Sequence, residues 1–493
     1  MTRASQTHKA TRWNAAGRGA DALIRYGVVV VLVQQGWMTP LDWGVLEGAL
    51  LVTGFLDLFV DLGTGQAVVQ RTTLTRRFTA TIFWFNLLLG ALLALGLLLL
   101  ADPLASLLGV PESAPMMRLL APTFLIASLG LVQRCLLARE MEFGGISKVN
   151  AAGALAYGVV SLTLASRGGQ AWSVAAGILA SGCVQTAGYW FLSSWRPAAA
   201  FDRGCLVEIY RFSSRLMGAN LAGYFLNRVD RILAAKFLGA EALGVLGLAR
   251  RIIVQPARLL PMVVVGTLIP SLAQVKLDRE RFRDRYERAL AGLAFIIVPV
   301  LVGLALTADL WMRGDGEAVD ERVLGLIWLL LPFGICHALL SISGPVYVAL
   351  GRTDLMLRVG LAQGLWLLAV EAFGLWEWGG TTALAAALSV GMLLAFPFAL
   401  RVPVSLSGST LSQALRGPLV TVACAALMGG GVFALRSALS PLGLPWALEM
   451  GLAAGAGAGV YSGLALGLRP PGAAELLQLL GLRGLSARLA PRP

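Results

Sequence analysis

Apolar runs of about 20 residues return along the whole chain, and they constrain it more than any motif does. Between Arg77 and Asp102 the sequence FTATIFWFNLLLGALLALGLLLLA carries no charge, and Ala289–Ala308 (ALAGLAFIIVPVLVGLALTA) is equally bare. Each run can cross a hydrocarbon core of about 30 Å as a helix, the form that satisfies every backbone N–H and C=O within the segment. Only 14% of the residues are charged and 57% are hydrophobic. A soluble domain carries about 25% charged residues, so soluble fold classes are excluded. The spacing predicts an all-α polytopic membrane protein with about 14 transmembrane helices.

Charge sets the orientation. The opening MTRASQTHKATRWNAAGRGADALIR is polar and basic, with no apolar core or small-residue cleavage site, so the first span is expected to be an uncleaved anchor. Roughly 29 of the 40 lysines and arginines fall on one side of the spans. They sit in the N-terminal segment, in the segments 71–77, 134–148, 196–215, 276–288, 352–358 and 401–416, and in the C-terminal tail. Asp102, Glu112, Asp309, Asp315, Glu317, Asp320, Glu321, Glu371 and Glu377 mark the other side. The positive-inside rule places both termini in the cytoplasm and accounts for the net charge of +13 without nucleic acid. Five scattered cysteines form no disulfide framework or metal spacing.

Short matches repeat in order. Gly44-Val45-Leu46 returns as Gly244-Val245-Leu246, GLLLLAD (Gly96–Asp102) as GLALTAD (Gly303–Asp309), and LLAPTFLIASL (Leu119–Leu129) as LLLPFGICHAL (Leu329–Leu339). Two six-helix lobes related by a pseudo-twofold along the membrane normal are therefore expected, with the substrate path between them. The expected order is a basic N-terminal segment (1–21), an N-lobe (22–192), a cytoplasmic linker (193–213), a C-lobe (214–400), two extra C-terminal spans (401–468) and a cytoplasmic tail (469–493). The outer loops 101–115 and 309–322 leave no room for a catalytic domain. No Walker, GxSxG or HExxH pattern occurs, so no enzyme and no cofactor is expected.

The chemistry concentrates in Asn220–Met262, read as two helices joined by a short turn. On a helical wheel Asn220, Gly223, Tyr224, Asn227, Arg228, Asp230 and Arg231 share one arc. In the next helix Arg251, Gln255 and Arg258 form a stripe beside Arg250. An arginine near the bilayer centre costs at least about 2.5–3.5 kcal/mol, so these side chains should face water or partners. One aspartate cannot neutralise several arginines, and the surplus predicts a cationic cavity for an anionic ligand. The alternative is that Asp230 only ties helices together. Glu47, Asp57 and Asp61 run along one side of the second span. They are candidates for proton or sodium coupling, or for a salt-bridged gate or helix terminus. His337, the one intramembrane histidine, is either a core residue or a proton relay. Pro256, Pro261, Pro270, Pro332 and Pro345 should bend spans eight (242–269) and ten (323–346).

Four pieces together resemble the Wzx-like polysaccharide flippases, in the superfamily that also holds lipid II flippases and multidrug (MATE) exporters. They are FLDLFVDLGTGQAVVQR (Phe55–Arg71), LLAREMEFGGIS (Leu136–Ser147), YFLNRVDRILAAKFLGAEALGVLGLARRIIVQP (Tyr224–Pro256) and LIPSLAQVKLDRERFRDRYERAL (Leu268–Leu290). The family-like positions are Asp61, Gly63, Ala67, Gln70 and Arg71 in the first piece, and Asp230, Gly239, Gly244, Arg251 and Pro256 in the third. Leu246 and Arg250 depart from it, standing where the family often has tyrosines.

The resemblance implies movement of an undecaprenyl-pyrophosphate-linked oligosaccharide across the bacterial inner membrane by alternating access, for O-antigen, capsule or exopolysaccharide. A proton or sodium gradient is the energy source if transport is coupled, and the polysaccharide polymerase and export machinery are partners of a monomeric carrier. Tyr224, Asn227, Arg228, Arg231, Arg250, Arg251 and Arg258 are then the substrate contacts, and Glu47, Asp57, Asp61 and Asp230 the coupling or gating groups. Guanidinium suits the diphosphate because it forks onto phosphate oxygens. A lipid II flippase shares this logic, a MATE cation exporter should have an acidic cavity instead, and a membrane polymerase or ligase would need a large outer loop.

Overall fold

The computed structural model describes residues 3–468 except 62, 72, 203, 205–220, 222 and 313–319. Among them the regular structure is entirely helical. Nine helical stretches of the described residues are long and apolar enough to cross a membrane by length and composition. The chain is a multi-pass membrane protein. Expected spans 22–38, 43–63, 171–192 and 446–467 lie on four further helices, Arg3–Gln34, Pro40–Asp61, Gln170–Leu192 and Trp446–Leu468. Much of span 214–236, with Asn220, lies outside the described residues, as do Cys205, Asp315, Glu317 and the tail 469–493.

The chain forms two compact units, Met1–Val245 and Leu246–Pro493. The first contains α1 (Arg3–Gln34), α2 (Pro40–Asp61), α3 (Thr64–Gln70), α4 (Arg76–Leu108), α5 (Ala114–Leu120), α6 (Pro122–Arg139), α7 (Phe143–Ala165), α8 (Gln170–Leu192) and the start of α9 (Val229–Leu259). One helix, α1, runs from Arg3 to Gln34 with no proline inside it. α7 packs between α1 and α8, and α6 between α4 and α8. The linker leaves α8 as extended chain and is pinned back onto α4. Trp84 Nε1 donates to the Ala198 carbonyl (2.9 Å), Trp195 Nε1 to Thr79 Oγ1 (3.1 Å), and the Asp202 amide to Thr81 Oγ1 (3.0 Å).

α9 is one run of helix only nominally, because Gly239 breaks it with φ 82° and ψ −173°. This is the turn expected between spans seven and eight. The opening turns of α2 and of the helix after Gly239 touch reciprocally. A Cβ built on Gly44 would lie 1.7 Å from the Ala240 carbonyl oxygen, and one on Gly244 would lie 1.8 Å from that of Pro40. Small residues let membrane helices approach to backbone contact, and here both partners do so.

The second unit holds α10 (Pro261–Gln274), α11 (Arg279–Met312), α12 (Glu321–Leu340), α13 (Ser343–Ala349), α14 (Thr353–Trp378), α15 (Gly380–Ser407), α16 (Leu411–Leu439) and α17 (Trp446–Leu468). Its core gathers Leu290, Ile297 and Leu301 of α11 with Cys424, Met428 and Val432 of α16. Spans eight and ten bend at their joints, where Leu260, Ser341 and Ile342 keep right-handed helical angles. α9 ends at Leu259 because Pro261 supplies no N–H, and α12 gives way to α13 at the Ser341–Ile342 turn. The charged segment 274–288 is mostly the first turns of α11, with Arg288 paired to Asp284 one turn away (2.6 Å).

A half-buried fork ties α16 to α11 and α17. Arg436 of α16 holds Asp309 of α11 with two bonds of 2.9 and 2.6 Å, and its Nε reaches Glu449 of α17 at 3.1 Å. Each such charged hydrogen bond is worth about 1.5–3 kcal/mol. Arg436→Gln should therefore cost the protein about that much and loosen α17 first, seen as a lower melting temperature in detergent with early proteolysis of the α16–α17 turn. An unchanged melting curve would mean the fork holds nothing.

Candidate functional site

One face of α2 organises the site in the first unit. Glu47, Leu51, Gly54 and Asp57 recur at helical spacing, and the 224–231 segment lies against them. The Tyr224 hydroxyl donates to the Leu51 carbonyl, and the Arg228 guanidinium stacks 3.9 Å above the Tyr224 ring. A Cβ on Gly54 would sit 3.3 Å from the Tyr224 hydroxyl and 3.7 Å from the Arg228 guanidinium. Arg231 reaches Glu47 at 3.5 Å, with side chains 17% and 6% exposed. Phe55 braces the segment through Tyr224 and Phe225, with centroids at 5.9 and 5.4 Å. Asp57 lies within electrostatic reach of Arg228.

The wheel drawn through Asn220–Lys236 does not hold throughout. A turn at Asn227–Arg228 interrupts it: the Arg228 amide bonds three residues back to Phe225, and Asn227 Nδ2 donates to the Gly223 carbonyl at 2.7 Å. An asparagine side chain that competes for the helix's own carbonyls is a known cause of such breaks. Asn227 is exposed, whereas Asp230 is 3% exposed.

The arginines are divided between the units. In the first, Arg231 pairs with Glu47 and Arg228 lies within electrostatic reach of Asp57. Arg250, Arg251 and Arg258 belong to the second unit. There the Arg250 guanidinium stands 5.5 Å over the Phe333 ring, and Phe333 stacks on His337 at 5.5 Å and 19°. Arg250 and Arg258 both act electrostatically on His337. Phe333 was not singled out in the sequence. The signal was present in Phe333 and His337 four residues apart, the spacing that aligns side chains on one helical face.

Asp61 serves a helix terminus. Its Oδ1 accepts from the Gly65 amide (2.6 Å) and the Thr64 hydroxyl (3.0 Å), at the start of α3. Gly63, with φ 76°, provides the left-handed step before it. Arg139 closes the other end by donating to the Val68, Val69 and Arg71 carbonyls, and Arg71 stacks over Phe78 at 4.4 Å. The side chain of Gln70 lies outside the described residues.

The first unit also holds an open cavity of about 430 Å³ that no sequence pattern announces. Arg25, Asp57, Asp61, Arg134, Gln185 and Tyr189 line it. Arg134 opens the basic segment 134–148, but an arginine stem is long enough to carry its guanidinium well away from its backbone.

A family model described as polysaccharide biosynthesis protein matches residues 37–313. The chain is similar to the teichuronic acid biosynthesis protein TuaB of Bacillus subtilis (strain 168), with 25% identity over 71% of this chain and 72% of that one. It is similar also to the lipopolysaccharide biosynthesis protein WzxC of Escherichia coli (strain K12), with 23% identity over 80% and 79%. Among solved structures, the lipid II flippase MurJ in an inward closed conformation shares the fold with a TM-score of 0.75, over 95% of this chain and 99% of that one, at 13% identity.

Proposed function

The chain belongs to the polysaccharide biosynthesis protein family, and from that premise we propose that it is a flippase for an undecaprenyl-pyrophosphate-linked oligosaccharide in the bacterial inner membrane. The observation that carries this reading is a set of cationic side chains inside the second unit, with Arg250 over the Phe333 ring beside His337 and Arg258 also acting on that histidine. A dianionic head group crossing hydrocarbon needs such a set, and guanidinium meets phosphate oxygens two at a time. Arg250, Arg251 and Arg258 receive the diphosphate, with Arg228 and Arg231 as first-unit contacts. Tyr224 positions Arg228, and Asn227 offers an exposed amide.

Transport proceeds by alternating access of two six-helix lobes within a 14-helix bundle, with both termini cytoplasmic and the carrier a monomer. The reciprocal packing of Gly44 on Ala240 and Gly244 on Pro40, in which each glycine of the repeated Gly-Val-Leu meets the backbone just before the other, supports that symmetry. Asp57 is the foremost coupling group, since it is exposed on the cavity wall beside Arg228. Glu47, Asp61 and Asp230 serve gating: Glu47 through Arg231, Asp61 through α3, and Asp230 as a buried charge. The polymerase of the same glycan receives the product at the outer leaflet.

The test uses proteoliposomes with a fluorescent polyprenyl-pyrophosphate oligosaccharide and an impermeant quencher, with and without a pH gradient. Wild-type protein should make the label accessible, and Arg228→Ala/Arg251→Ala should slow this by at least about tenfold, as loss of charge-assisted phosphate bonds implies. Wild-type rates in the double variant would sink the reading. Efflux of an organic cation without lipid movement would favour a drug exporter.

A further inference from the structure

We propose that the cavity inside the first unit receives a neutral sugar ring of the substrate and so reads the glycan, separately from the arginines that read the diphosphate. This rests on the flippase reading above and adds a second, uncharged recognition step to it. The volume of about 430 Å³ falls within the range of small-ligand sites. Two guanidiniums, Arg25 and Arg134, face two carboxylates, Asp57 and Asp61, so the formal charges of the wall cancel. A small cation entering it meets both arginines, and an anion meets both aspartates. A polyhydroxylated ring uses all four at once. Each hydroxyl can donate to a carboxylate and accept from a guanidinium or from the Gln185 amide.

The polar groups are held ready. Arg25 Nε bonds Asp21 (3.0 Å), its Nη2 bonds Ser181 Oγ (3.0 Å), and its guanidinium lies 4.7 Å over the Tyr157 ring. One oxygen of Asp61 is engaged by α3. The Tyr189 hydroxyl is tied to Asn150 at 2.6 Å, which fixes its ring in the wall. Leu50, Val60, Leu131 and Ile178 supply apolar surface for the C–H faces of a ring. Asp57 joins the cavity to Arg228, so a head group held by Arg228 presents its attached sugar here.

The experiment measures Kd of the full chain in nanodiscs for undecaprenyl pyrophosphate, bare and carrying a neutral trisaccharide. Wild type should prefer the glycosylated lipid by about tenfold, the scale of a few well-placed polar contacts. Gln185→Leu, which removes an amide from the wall, and Ala127→Phe, which fills the cavity, should each erase that preference and keep the Kd for the bare lipid within about twofold. Retained binding of the bare lipid reports an intact fold; a variant that loses it is set aside, and the other decides. Equal wild-type affinity for both lipids, or variants that keep the preference, would overturn the sugar site and leave the head-group reading standing. Variants that keep the preference but change the sodium or proton dependence of transport would reassign the cavity to a cation. Failure of wild type to bind either lipid would remove the flippase reading, and this inference with it.

Discussion

Gly44→Ala should abolish transport and sharply lower the folded fraction, and Gly244→Ala should do the same. The added methyl at Gly44 would sit 1.7 Å from the Ala240 carbonyl oxygen, and at Gly244 1.8 Å from that of Pro40. Carbon and carbonyl oxygen normally approach no closer than about 3.3 Å, so the two helices would have to part by about 1.5 Å. The obstacle is backbone on both sides, and no rotamer change relieves it. Overpacking a core typically costs about 1–3 kcal/mol, and a rigid backbone clash belongs at or above the upper end. Gly96 is the control, because a Cβ there meets nothing within 4 Å. Gly96→Ala should be neutral or stabilising by about 0.5–1 kcal/mol, since glycine within a helix is worse than alanine. Fluorescence-detected gel filtration after a heating series would rank all three. Equal melting of Gly44→Ala and wild type would mean the contact opens at no cost.

That glycine pair was legible as a repeat but not as a contact. Matching Gly44-Val45-Leu46 to Gly244-Val245-Leu246 needs only the letters, whereas the backbone approach depends on how two helices distant in sequence cross. The α2 face was legible because Glu47, Gly54 and Asp57 keep close to a 3.6-residue period. The break at Asn227–Arg228 was not, because it arises from a side chain bonding its own backbone, which leaves hydrophobic periodicity intact. Residues 193–202 carry no period, and they are ordered by tertiary hydrogen bonds from Trp84 and Trp195. Placing Arg134 in a basic segment follows the position of its Cα along the chain, which ignores the reach of the side chain. The turn residues after α2, Asp61-Leu62-Gly63-Thr64, did announce a helix end, and a helix cap was one of the roles left open for Asp61.

Glu47→Ala should destabilise the first unit by about 3–5 kcal/mol, the usual cost of removing one partner from a buried ion pair and stranding the other. Its side chain is 6% exposed and that of Arg231 17%, at 3.5 Å. Arg231 depends on this partner, for its Nε is already buried without a hydrogen bond. The penalty comes from the stranded guanidinium rather than from the lost contact, so the double variant Glu47→Ala/Arg231→Ala should recover most of the stability. A double-mutant cycle on melting temperature measures that coupling directly. The conservative Glu47→Gln separates the two roles open to this carboxylate. If the pair is structural, Glu47→Gln loses stability at every pH where the glutamate is ionised, and transport falls with the folded fraction. If Glu47 carries a coupling proton, Glu47→Gln mimics its loaded form: the protein stays folded, and transport persists but ignores an imposed pH gradient. The burial of both side chains and the open position of Asp57 on the cavity wall favour the first outcome, with coupling left to Asp57.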